Sequence, residues 1–261
     1  MVAKALGREG KAQDGVYKVS FPRSDLNISI GGTKLQPALA LGSWAAFRME
    51  GSDAVTDGDL VLTTAEVNPV ISALQRSGID VTGVHNHLIG ETPRVMYVHF
   101  FGKGDAAKLA QGLHDALAAT RTPMGPAPAP KPADLGFDQK KIEGTLGKSG
   151  AANGKVLAFS FARPHPIAMR GAQLSPPMGM ATAINFQQSP KGVAATGDFV
   201  VDANQVNGVI KALRAADIAV TAVHNHLLEA EPETVFIHFW AEGPADQVAQ
   251  GLKAALDAST K

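Results

Sequence analysis

The chain has 261 residues, with 24 Lys plus Arg against 24 Asp plus Glu, and 45% of it is apolar. That length fills one large domain or two ordinary ones, and the charge balance supplies no basic surface to recruit nucleic acid or an anionic membrane. Cysteine is absent, which excludes disulfides, thiolate ligands and a cysteine nucleophile and leaves histidine and carboxylate as metal ligands.

In chain order, Met1-Val2-Ala3-Lys4 opens an Ala/Gly/Lys-rich segment with no visible signal peptide. The apolar runs are short and interrupted, so no transmembrane helix is expected. Val16 to Ser20 and Leu26 to Ile30 are predicted strands, with Gly31-Gly32-Thr33 as a hairpin turn. Ser43 to Met49 and Leu60 to Leu62 are predicted to be two more. Thr63-x-x-Glu66 reads as a capping box opening a helix through Val67, Val70, Ile71 and Leu74, with an irregular first turn at Pro69. Ile79 to Leu88 is predicted as a strand, turned at Gly90 to Pro93 into an antiparallel partner from Val95 to Phe101. Asp105 to Thr120 is an amphipathic helix carrying Leu109, Leu113 and Leu117.

This unit occurs twice. Residues 59–100 align without a gap on 198–239, and 19 of the 42 pairs are identical. Upstream, Leu6-Gly7 matches Leu146-Gly147 and Arg23 matches Arg163. The expected organisation is a first unit at 1–120, a Pro/Ala-rich linker at 121–137 and a second unit at 138–261. The expected fold is α+β, a tandem duplication of a mostly antiparallel sheet with two helices, packed as a pseudo-dimer. A Pro-rich spacer at roughly 3 Å per residue could also hold the copies apart.

Six of the eight histidines fall into two identical patterns, His85-Asn-His87 with His99 and His224-Asn-His226 with His238. Side chains alternate along a strand, so His85 and His87 share a face, and a hairpin returns His99 alongside one of them. Three convergent imidazoles make an open zinc site, with copper or another divalent transition metal as alternatives. Asn86 points to the opposite face and orients a neighbouring loop. Carboxylates flank both triplets: Glu91 follows His87, while Glu229, Glu231 and Glu233 crowd the second set. Glu91 and Glu231 are the candidate catalytic groups, as fourth ligand or general base, and the second copy is the favoured catalytic half. Asp25 and His165, aligned after the matched arginines, are candidate accessory ligands. Met96, Phe100, Phe101, Phe239 and Trp240 read first as core.

The composite Glu-Val-Asn-Pro-Val-Ile, Val-His-Asn-His-Leu, Glu-Thr-Pro-Arg and His-Phe-Phe resembles the LppY/LpqO family of exported bacterial proteins and lipoproteins without assigned function. That resemblance implies a periplasmic or secreted location, with any leader outside this chain; without a cysteine, a lipid anchor is not supported. The metal pattern alone is similar to acetolactate decarboxylase and a related zinc-dependent ester hydrolase, in which three histidines hold zinc beside substrate. Three readings follow: a zinc-dependent hydrolase or lyase acting on a small molecule, a non-catalytic zinc or copper carrier or sensor, and a module binding cell-envelope material.

Overall fold

A computed structural model describes residues 1–126 and 133–260. The central part of the expected linker, 127–132, lies outside the described residues. The first copy runs α1 (Val2–Leu6), β1 (Lys11–Gln13), β2 (Val16–Pro22), β3 (Ser29–Ile30), β4 (Thr33–Lys34), α2 (Pro37–Ala40), β5 (Gly42–Glu50), β6 (Asp53–Thr63), α3 (Val67–Arg76), β7 (Asp80–His85), β8 (Glu91–Thr92), β9 (Val95–Gly104) and α4 (Ala106–Ala118). The second repeats it as α5 (Gln139–Leu146), β10 (Ala151–Asn153), β11 (Val156–Ala162), β12 (Ile167–Met169), β13 (Ala172–Leu174), a 3-10 turn at Pro176–Met178, β14 (Ala181–Ser189), β15 (Gly192–Asp202), α6 (Val206–Ala215), β16 (Ala219–His224), β17 (Ala230–Glu231), β18 (Thr234–Gly243) and α7 (Ala245–Ala258).

Each copy is a six-stranded antiparallel sheet, ordered β1-β2-β5-β6-β9-β7 and β10-β11-β14-β15-β18-β16, with a three-stranded sheet beside it. The duplicated α+β architecture is as the sequence predicts. Leu26 to Ile30 yields only the two-residue strand β3, because after the turn at Gly31 and Gly32 its partner β4 runs only from Thr33 to Lys34 before Pro37 opens α2. The capping box forms only in part. Glu66 reaches back to the Thr63 N–H at 2.8 Å, but Thr63 does not cap the helix. Pro69 falls in the first turn of α3, where a missing N–H costs little.

Alternation along the strands divides each sheet. Val19, Phe21, Phe47, Leu60, Leu62, Val98 and Phe100 pack under α3 and α4. The opposite faces meet the other copy. Val16, Ala46, Val55 and Phe101 of the first copy pack against Ile167, Met169, Met178, Leu227 and Phe236 of the second. Reciprocally, Val156 and Trp240 pack against Ile28, Leu35, Leu39 and Leu88. The two copies thus form one pseudo-symmetric body, in which each small sheet covers the partner's open face. Among the described residues no helix is long and apolar enough to cross a membrane.

Arg23 anchors the first copy. It is fully buried, bonds both oxygens of Asp25 at 2.9 and 2.8 Å, meets Glu66 at 2.8 Å and donates to the Val61 carbonyl. Burial pushes the Glu66 carboxyl up, but hydrogen bonds from Arg23 and from the N–H groups of Arg121 and Thr63 outweigh it, so the net shift is downward. A depressed carboxyl stabilises the fold above its unfolded value, 4.5, and loses that contribution as pH falls through the lower folded value. Urea midpoints should therefore decline below pH 4.5, and Glu66→Gln should flatten part of that decline.

Candidate metal centre

All six patterned histidines meet where the copies face one another. Ring centroids pair across the interface: His85 with His224 at 3.7 Å, His99 with His226 at 3.7 Å and His87 with His238 at 3.8 Å. The sequence predicts a triplet in each copy, and the fold pools them. Ring nitrogens of His85, His87 and His99 lie within 4.8 Å of one another, and so do those of His85, His224 and His238. The second cluster therefore borrows His85 from the first copy, and His85 belongs to both.

Local structure explains the placement. β7 ends at His85, and a bulge between Val81 and Gly83 shifts its register by one, so His99 sits opposite Gly83 instead of Thr82 and shares a face with His85, two residues on. Gly83 is needed for close approach, since a Cβ there would lie 2.9 Å from the Cβ of His226. Asn86 turns away from the rings. Its amide donates to the Leu88 carbonyl at 2.9 Å and across the interface to the Thr221 carbonyl at 3.0 Å. Thr221 in turn donates to the His87 carbonyl at 2.6 Å. These bonds fix the loop that carries His87.

The environment favours neutral imidazoles. Burial, reinforced by the neighbouring histidines, holds His87, His99, His226 and His238 well below the ordinary histidine value. Burial also lowers His85, and brings His224 down to about 4. Neutral rings present the lone pairs that metal binding requires. Buried nitrogens of all six lack a hydrogen-bond partner, including Nε2 of His85, His87, His99 and His238. Leaving so many buried polar atoms unpaired is costly, and a cation between them would satisfy the set. Nitrogens bound to one zinc at about 2.0–2.1 Å sit about 3.4 Å apart, so small side-chain movements close either set on an ion. The donor set fits the metal.

Two aspartates complete the centre, and the motif-based reading passed over both. Asp59 pairs with His99 across the ladder, as Asp198 pairs with His238. Asp59 Oδ2 lies 3.8 Å from His87 Nε2, and Oδ1 lies 3.8 Å from His99 Nε2. That gap is too long for a hydrogen bond and suits a bridging ion or water. Burial raises Asp59 well above the usual carboxylate range, with Asp198 adding to the rise; burial lifts Asp198 to about 7. The available signal is an aspartate at the same place in both repeats, followed in each by a run of apolar strand residues.

A cleft of about 760 Å³ opens beside the rings. One wall belongs to the first copy. Lys18 extends over the Trp44 ring at 3.7 Å and donates to the Pro177 carbonyl at 3.0 Å, near Asp57. Burial lowers the Lys18 amine to about 8 against the pull of Asp57, Asp59 and Asp198. The matching ladder positions of the second copy are Ala158, Ala183 and Thr196, so these groups are not duplicated.

The glutamates lie elsewhere. Glu91 is buried on β8 with neither carboxylate oxygen hydrogen-bonded and Arg94 Nε 3.7 Å away, and it does not line the cleft. Glu231 is exposed on β17, and Glu229 is exposed and paired with Arg170 at 3.2 Å. Asp25 is bound by Arg23, and His165 is exposed in the loop before β12. Met96 is half-buried, while Phe100, Phe101 and Phe239 are buried in the cores.

No curated protein matches the chain. Among solved structures, EtuB from Clostridium kluyveri is 12% identical, covering 95% of this chain and 89% of that one at a TM-score of 0.23. The trimeric bacterial microcompartment shell protein PduB is 13% identical, with 97% and 91% covered and a TM-score of 0.25. Similarity at that level carries no argument about what this chain does. The sequence profile of one family matches twice, at residues 1–119 and 140–258. These are the two copies that build the histidine centre, and the chain belongs to the family described as Domain of Unknown Function (DUF1259).

Proposed function

We propose that this protein is a metalloprotein that holds zinc, or another divalent transition ion, among the six histidines between its copies. The observation that carries this reading is the meeting of six imidazoles between the copies, three buried and three half-buried, each with an unpartnered ring nitrogen. His85, His87 and His99, or His85, His224 and His238, would be the ligands, with Asp59 and Asp198 beside them. A bound zinc ion supplies Lewis acidity and a water of pKa near 7, the chemistry of hydrolysis and of lyase reactions.

The chain's own residues fit that use. Asp59 stands 3.8 Å from His87 and His99 Nε2, where it would hold a proton beside an ion among those rings, since its burial favours the protonated form. Lys18 places a cation on the cleft wall, where it would orient an anionic part of a small substrate. A carrier or sensor is the second reading, and would need the same ligands but no free coordination position. The periplasmic or secreted location rests on the resemblance of the His-Asn-His and Glu-Thr-Pro-Arg motifs.

Elemental analysis of untagged protein, followed by cobalt(II) titration, tests the proposal. A visible cobalt spectrum typical of low-coordinate nitrogen and oxygen ligation is expected, and acetohydroxamate should perturb it by occupying an open position. A spectrum unmoved by acetohydroxamate would favour the carrier. Failure to retain zinc, copper or cobalt would remove both metal readings.

A further inference from the structure

The two copies treat the same arginine differently. In the first, Arg23 Nε and Nη2 are held by Asp25, and Glu66 takes the other side. In the second, Arg163 keeps the same pose, donating to the Val200 carbonyl at 2.7 Å as Arg23 does to Val61. Its carboxylate partners, however, have been exchanged. His165 stands at the position of Asp25 and Gln205 at that of Glu66, and the Gln205 side chain is occupied by the Asp202 N–H. Asp202 supplies one carboxylate oxygen to Nη2 at 2.6 Å. Nε, the atom that binds Asp25 in the first copy, has no partner among the described residues, although the side chain is only 7% exposed. An unpaired buried guanidinium N–H is expensive to leave that way.

A pocket of about 380 Å³ adjoins this arginine, lined by Lys148, Lys253, Phe161, Pro164 and Leu256. Lys253 is paired with Asp257 and Arg163 with Asp202, so Lys148 leaves the second-copy pocket with one excess positive charge. Phe161 and Leu256 add an apolar wall. Pro164, His165 and Pro166 are exposed beside the arginine.

We propose that the second copy carries a binding site for a carboxylate with an apolar tail, whose carboxylate takes the place of Asp25 at Arg163 Nε and whose tail lies on Phe161 and Leu256. Arginine is suited to this because its planar fork matches a carboxylate with two parallel hydrogen bonds. The site is separate from the histidine centre and needs no metal.

The test uses the full chain with 15N-labelled arginine, read at the Arg163 Nε–H resonance. Sodium hexanoate should produce a saturable shift, and hexanamide at matched ionic strength should not. The double variant His165→Asp/Gln205→Glu restores the first copy's carboxylates, so it should fill the site internally and lose the hexanoate response at least tenfold. Arg163→Gln, followed through the Leu256 methyl resonances, should lose the response as well and serves if the double variant does not fold. Absence of saturation, an equal response to hexanamide, or unchanged affinity in the variants would overturn the proposal. A response to inorganic phosphate alone would overturn the ligand class.

Discussion

Replacing His85 with alanine should reduce metal affinity more than any other single histidine substitution, and should do so for the whole protein. His85 contributes to both ligand sets, whereas His87, His99, His224 and His238 each contribute to one. Loss of an outer-shell partner typically costs about 10–100-fold in affinity, and loss of a shared direct ligand should exceed about 100-fold. Competition against a chelator, with metal counted per chain, measures it. His114→Ala is the control, because His114 lies on α4 away from the cluster. If the copies instead held independent sites, His85→Ala would remove half the metal and leave the remainder at its original affinity. That outcome would sink the shared centre. Urea unfolding of the metal-free variant guards against misfolding. The substitution removes an unpartnered Nε2 but also the Nδ1 contact to the Asn86 carbonyl and the ring stacked on His224, so the metal-free fold should lose on the order of 1 kcal/mol.

The largest effect on stability should come from Arg23→Ala. Two carboxylates, Asp25 and Glu66, would remain in a largely buried place without their cation. Breaking such a group by removing one partner costs about 3–5 kcal/mol, and the residual exposure of both acids puts the expectation near the lower end. At this size each kcal/mol moves Tm by about 2–4 °C, so a fall on the order of 10 °C is expected. Arg163→Ala provides the internal comparison. Arg163 has a single carboxylate partner, Asp202, which is 35% exposed, so its loss should cost on the order of 1 kcal/mol. Equal losses in calorimetry would mean that packing around the arginine stem, rather than the carboxylates, sets the cost.

Much of this protein was legible in the chain. The repeat, the strand–helix order and the amphipathic helix after Asp105 are written in local periodicity and turn chemistry, which depend on neighbours a few residues apart. The six histidines and their chemistry were equally plain, because metal-ligand residue types at repeated spacing need no tertiary context to be noticed. The sequence also carried the signal for Asp59 and Asp198, an identical pair inside the aligned block. Only the ladder shows that each stands opposite a histidine.

Docking of the two open sheet faces decided the rest. It merged two expected triplets into one centre, gave His85 to both ligand sets, and brought Lys18, Trp44 and Asp57 to the cleft beside them. It left Glu231 in solvent and Glu91 in the core, although both are close to the histidines in sequence. Contacts between copies join residues from 90 to 209 positions apart, and no local pattern encodes which faces meet or how far they are rotated. That geometry is selected by burying both apolar faces at once, a cooperative property of the whole body. The sequence by itself therefore determined the chemistry available to this protein. The tertiary structure alone decided which copies of those groups share a site.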